Sequence, residues 1–146
     1  MENLRILGLD YGDKTVGVAI SDPFGWTAQG LEIIRRTNEN EYKKNIARIR
    51  ELIAQYEVES IVLGYPKNMD NSEGSRCEKT KAFKEKLEKA FPTVPVILWD
   101  ERMSTIAANR SLLEANLNSG KRKSVIDKMA AVYILQGYLD SKSVKN

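Results

Sequence analysis

The sequence predicts an α/β fold: a mixed five-stranded sheet, an antiparallel meander with two parallel strands added, flanked by helices. Three observations predict it. The first third alternates short apolar, β-branched runs with turn signals, the middle changes to a three- and four-residue period, and two later apolar runs each follow a helical stretch. Short turns join antiparallel neighbours, whereas a strand–helix–strand crossover makes its strands parallel.

The elements follow in order. Residues 4–10 form an apolar run that Asp10 closes, and Tyr11-Gly12-Asp13 marks a tight connection. Residues 15–21 resume an extended, partly β-branched run, and Asp22-Pro23-Phe24-Gly25 is a second turn. A third strand is expected over 28–36. From Glu41 onward Tyr42, Ile46, Ile49, Ile53 and Tyr56 make one apolar helical stripe. Residues 60–64 are a short apolar strand, expected to be buried on both faces. A polar loop follows, and then Ser75 and Glu78 have capping-box spacing ahead of a helix face carrying Phe83, Leu87 and Phe91. Pro92 and Pro95 precede a strand over 94–99. Helices are expected over 106–117 and 125–139. No repeat, low-complexity tract or linker interrupts residues 1–146, which are expected to form one domain.

Composition narrows the chemistry. Hydrophobic residues make up 42% and charged residues 29% of 146 residues, the balance of a folded rather than a disordered chain. No run approaches a membrane span and no signal segment opens the chain, so a cytoplasmic protein without membrane contact is expected. Cys77 is the only cysteine, which removes internal disulfides and cysteine zinc sites. With no histidine at all, a serine–histidine triad and a histidine general base are impossible within the chain. The oxygen ligands that remain suit magnesium or manganese. A net charge of +3 is compatible with a polyanionic partner but does not require one. Lys121-Arg122-Lys123 stand out as a basic block in a loop-like stretch, with lesser blocks at Arg35-Arg36 and Lys43-Lys44.

Three acids sit where strands end or helices begin: Asp10, Glu101 and Asp127. The carboxyl ends of strands in an open α/β sheet form the usual ligand crevice. Carboxylates that converge there repel unless cations lie between them, which points to a magnesium-type phosphoester enzyme. Each acid also has a plain structural role open to it. Asp10 beside Gly12 could bond turn amides, and Ser124 with Asp127 could be an N-cap and N3 pair. Asp100 and Glu101 are adjacent, and periodicity does not say which faces the site.

Taken together, the segments carry more. Leu9-Asp10-Tyr11-Gly12 with Val16-Gly17-Val18-Ala19 and Ser21-Asp22 resembles the opening of the YqgF/RuvX family. Leu63-Gly64-Tyr65-Pro66, Asn68-Met69-Asp70, Ser72-Glu73-Gly74 and Trp99-Asp100-Glu101-Arg102-Met103-Ser104-Thr105 continue the likeness. So does the stretch from Lys121-Arg122-Lys123 through Ile126-Asp127-Lys128-Met129-Ala130-Ala131 to Ile134-Leu135-Gln136. Asn71 stands where the family often has glycine, and Ser75 where proline is common. The resemblance implies a ribonuclease H-like fold and a nuclease, described in the family as a Holliday-junction resolvase and as a processor of the 5′ end of pre-16S rRNA.

Residue by residue, the resemblance puts the family's acids on Asp10, Glu101 and Asp127, with Asp10 bridging two magnesium or manganese ions. Two such ions roughly 3.5–4 Å apart activate a water and stabilise the leaving oxygen of an in-line displacement. Lys14, Arg102, Lys121, Arg122 and Lys123 are candidates for positioning phosphates without reading sequence. The partner implied is nucleic acid, RNA ahead of a DNA junction, within ribosomal precursor particles. Residues 118–123 are expected to form a mobile loop that orders on nucleic acid. Two other classes remain open: a nonenzymatic nucleic-acid-binding module, and an actin-like or sugar-kinase ATPase, which would need a second such domain.

Overall fold

A computed structural model of the chain describes residues 5–36, 41–67, 70, 72–101 and 119–143, with side chains at all of these except 119–128 and 143. Five strands, β1 (Ile6–Tyr11), β2 (Thr15–Ser21), β3 (Ala28–Arg35), β4 (Ser60–Tyr65) and β5 (Val96–Asp100), form one sheet in the order β3-β2-β1-β4-β5. The pairs β1/β2 and β2/β3 are antiparallel, and β1/β4 and β4/β5 are parallel. The expected mixed sheet is therefore present, with strand ends within two residues of expectation.

The turns explain the meander. Between β1 and β2 the Gly12 N–H donates to the Thr15 carbonyl at 2.8 Å. Between β2 and β3, Gly25 takes φ 74°, a left-handed value that glycine adopts without strain. There Asp22 Oδ1 accepts from the Trp26 and Thr27 N–H groups at 2.6 and 3.0 Å. Burial alone would push the Asp22 carboxyl up, but these backbone donors outweigh it and hold it below the usual carboxylate range.

Helices cover both faces. Helices α1 (Tyr42–Tyr56) and α2 (Ser75–Ala90) pack on one face, where Ile49, Leu52, Phe83 and Leu87 meet Leu7, Leu9, Ile61 and Leu63. Helix α3 (Ser119–Ser143) covers the other, setting Ala131, Ile134 and Leu135 against Ala19 and Val62. Strand residues thus alternate between two buried layers, which is why the β1 and β4 runs are almost continuously apolar. No helix among the described residues is long and apolar enough to cross a membrane.

Three expectations change. Helix α2 begins at Ser75 itself, its N-cap is Gly74, and no side chain caps it, so the Ser75–Glu78 box is one residue out of frame. The basic block is not in a loop: α3 starts at Ser119 and already contains Lys121, Arg122 and Lys123. Lysine and arginine are good helix formers, and the run they begin continues directly into the packed part of the helix. Ser124 and Asp127 consequently lie inside α3 rather than at its N-cap. The helix expected over 106–117 lies outside the described residues.

Candidate active site

Strand register sets the site. A β-carbon on Gly8 would lie 2.7 Å from Leu135 Cβ and 3.2 Å from the Ala131 carbonyl oxygen, so Gly8 faces α3 and lets that helix come close. Asp10, two residues on, shares this face, is buried, and is the next-to-last residue of β1, at the carboxyl edge of the parallel strands. Leu9 pairs with Leu63, so one further step brings Asp10 level with Gly64 on β4. Glu101 follows β5 on the far side of β4. Its Oε1 lies 2.8 Å from where a Gly64 β-carbon would stand. Adjacent strands are about 4.8 Å apart, so the missing side chain lets the Glu101 carboxylate lean across β4 toward Asp10.

This arrangement separates Glu101 from Asp100. Trp99 packs in the α3 layer, and its ring meets Tyr138 edge-on at 5.7 Å. Leu98 packs in the opposite layer. Alternation then places Asp100 with Leu98 and Glu101 with Trp99.

Helix α3 runs antiparallel to β1. Its later residue Gln136 accepts from the Ala28 N–H at 2.9 Å and donates to the Trp26 carbonyl at 3.0 Å, both at the amino edge of β1. Its earlier residues therefore approach the carboxyl edge. From Ala131 back to position 127 is one turn, about 6 Å, which matches the roughly 6.6 Å from Gly8 to Asp10. Position 127 of the helix comes about level with Asp10. The Asp127 side chain lies outside the described residues, as do Arg102 and the side chains of Lys121, Arg122 and Lys123. Lys14 is exposed in the turn after Asp10. Among the described residues, no group of three metal-ligating side chains occurs.

Two features here were given no role in the site from the sequence. Arg36, buried, reaches the turn behind Asp10: its Nη2 donates to the Gly12 carbonyl at 2.5 Å and its Nη1 to Asn45 Oδ1 at 3.3 Å. Its backbone N–H donates to the Lys14 carbonyl at 2.9 Å, and the guanidinium lies 4.6 Å from the Tyr11 ring centroid. The Tyr11 ring in turn stacks on Phe83 at 4.2 Å. The second feature is Tyr65, which ends β4 and donates its hydroxyl to Glu73, whose other oxygen meets Lys81 Nζ at 3.4 Å. Burial first, then donation to Glu73, pushes the Tyr65 hydroxyl up to about 12. The same bond, with Lys81, holds the Glu73 carboxyl below its usual range.

The RuvX family model, described as Holliday junction resolvase, matches residues 4–141. The chain belongs to the RuvX family. A relative from Agathobacter rectalis, provisionally named a pre-16S rRNA nuclease, is 55% identical across 94% of this chain and 95% of its own. One from Staphylococcus carnosus with the same name is 56% identical across 94% and 96%. Among solved structures, Thermus thermophilus RuvC in complex with a Holliday junction substrate matches with a TM-score of 0.61 at 15% identity, over 96% of both chains. The fowlpox virus Holliday junction resolvase matches at 0.54 and 15%, over 95% of this chain and 99% of that one. The fold is that of the RuvC-like, ribonuclease H-type resolvases.

Proposed function

We propose that this RuvX-family chain is a cytoplasmic, metal-dependent nuclease that hydrolyses RNA phosphodiester bonds, processing the 5′ end of pre-16S rRNA in ribosomal precursor particles. The observation that supports it is the Glu101 carboxylate lying over Gly64, beside the strand that carries the buried Asp10, at the carboxyl edge of the parallel strands. The names borne by its relatives supply the substrate.

The donor set fits magnesium or manganese. Asp10 and Glu101 offer hard oxygen ligands, and the chain has no histidine to favour a softer ion. Asp10, Glu101 and Asp127 would hold the ions. Bound there, divalent ions would lower the pKa of the attacking water and neutralise charge on the leaving oxygen. The chain's own part is preorganisation. Gly64 keeps the space beside Asp10 open for Glu101, and Arg36 fixes the turn that ends β1. Lys14, Arg102 and the α3 cations Lys121, Arg122 and Lys123 would draw phosphates toward the acids without reading bases.

Purified protein with magnesium, given matched pre-16S leader RNA, single-stranded DNA and four-way junctions, tests this. The expected result is metal-dependent cleavage with the RNA preferred. Undiminished cleavage in excess chelator contradicts the metal assignment. Paired symmetric nicks in the junction, outpacing any RNA cut, would make the chain a resolvase instead. Salt-sensitive binding without cleavage would make it a binding module.

A further inference from the structure

On the sheet face opposite α3, helices α1 and α2 border a cleft of about 450 Å³. Tyr42, Ile46 and Ala90 give it an apolar floor, and Lys43, Arg50, Lys86 and Lys89 surround that floor. No carboxylate among the described residues lines it.

The neighbouring cations behave differently. Lys44 pairs with Glu41 at 3.4 Å, Lys84 with Glu88 at 3.0 Å, and Arg48 with Glu32 and Glu51 at 2.6 and 2.9 Å. Helical spacing supplies Lys84 and Arg48 with an acid on their own helices and Lys44 with the N-cap residue Glu41, and Arg48 takes a second acid from β3. Lys43, Arg50, Lys86 and Lys89 make no ion pair among the described residues. Two of them lie instead over aromatic rings, Lys86 Nζ 4.0 Å from the Tyr42 centroid and the Arg50 guanidinium 5.3 Å from that of Phe91. Four like charges gathered around one depression raise its potential together and favour a polyanion.

We infer that this cleft is a second nucleic-acid site, which takes the phosphate backbone of single-stranded RNA at a distance from the catalytic acids. Spacing selects a chain over a single phosphate. Lys43 and Arg50 are two turns apart on α1, about 10.5 Å, and Lys86 and Lys89 stand one turn apart, about 4.5 Å, across the cleft. One phosphate group cannot span that array; successive phosphates of a strand can. The inference rests on the nuclease reading for its ligand class. Its role is to hold a part of a long substrate that the cleavage site does not reach.

The test compares two pairs of substitutions with equal change in charge. Lys43→Gln with Lys86→Gln alters the cleft, and Lys44→Gln with Lys84→Gln alters paired lysines on the same helices. Binding of long and short single-stranded RNA is measured in chelator, so that no cleavage contributes. The cleft pair is expected to weaken binding of long RNA on the order of ten-fold and to lower the salt slope by about 1.4, two phosphates at roughly 0.7 each. The control pair should have little effect, short RNA should not discriminate between the proteins, and thermal melts should coincide. Equal losses in both pairs overturn the inference, as does full competition by millimolar inorganic phosphate or mononucleotide, which would define a small-anion site. Because binding is read without turnover, a failed cleavage assay with the cleft effect intact would overturn the nuclease reading alone.

Discussion

Glu101 Oε1 occupies the space that a side chain at Gly64 would fill, 2.8 Å from the β-carbon position. Ile134 closes the same space from α3, its Cγ1 3.1 Å from that position and its Cδ1 nearer still. Glycine at 64 is required by this close approach, not by its backbone conformation. Gly64→Ala should cost about 1–3 kcal/mol through overpacking and lower magnesium-dependent cleavage strongly. Adding Ile134→Val should recover stability without recovering cleavage, because Glu101 remains displaced. Melts and cleavage rates of the single and double variants check this; joint recovery would show that only packing was disturbed.

Arg36 carries the second expectation. Replacing it with methionine keeps bulk but leaves the half-buried Gly12 carbonyl and the buried Asn45 Oδ1 without this donor. Denaturant unfolding should show a loss on the order of 2–3 kcal/mol. Cleavage measured well below the melting temperature should also fall, since the turn that ends β1 loses its support.

Glu32 on β3 and Arg48 on α1 predict an acid limb in stability. The hydrogen bond from Arg48, with its charge, holds the Glu32 carboxyl below its usual range. A lowered folded-state value contributes stability that is complete above the ordinary glutamate range and is lost as pH falls through the lowered value. The pair is partly exposed, so the contribution should be no more than about 1 kcal/mol. Glu32→Gln should flatten this part of the stability–pH curve.

Tyr65 predicts the opposite limb. Its hydroxyl is pushed up to about 12, so the folded state keeps a proton that the unfolded chain releases near pH ~10. Stability should therefore fall between those two values, and Tyr65→Phe should remove that part of the decline. At neutral pH the variant should lose about 1 kcal/mol with the hydrogen bond to Glu73. Melts of both proteins from neutral to strongly alkaline pH give the comparison.

The sheet was legible because its signals are local. β-branched runs, the Asp22–Gly25 turn and the change of period at Tyr42 each report on nearby backbone, and the strand order follows from crossover rules. Local pattern marked Asp10, Asp100 and Glu101 only as strand-end positions; the family resemblance selected Glu101 over Asp100, and the layer that Trp99 joins, with the gap at Gly64, puts the Glu101 carboxylate on the same face as Asp10. Arg36 was hidden because a buried arginine looks like its exposed neighbour Arg35. Only the alternation of β3, with Ile34 and Arg36 both buried and Arg35 exposed, distinguishes them. The start of α3 was missed because Gly120 and a polar, charged run read as loop, whereas packing further along carries the helix through them.

The site assignment is tested most directly by thermal melts of the wild type and Asp10→Asn, each in chelator and in magnesium, with cleavage measured alongside. Asparagine nearly conserves shape and removes one of the carboxylates that the proposed site brings together. The variant should match the wild type in chelator or exceed it by on the order of 1 kcal/mol, as repulsion is relieved. Magnesium should stabilise the wild type by mass action and the variant much less, and the variant's cleavage should fall by orders of magnitude. A variant that is destabilised in chelator yet keeps its magnesium response and its cleavage would contradict the assignment and make Asp10 a structural residue of the turn.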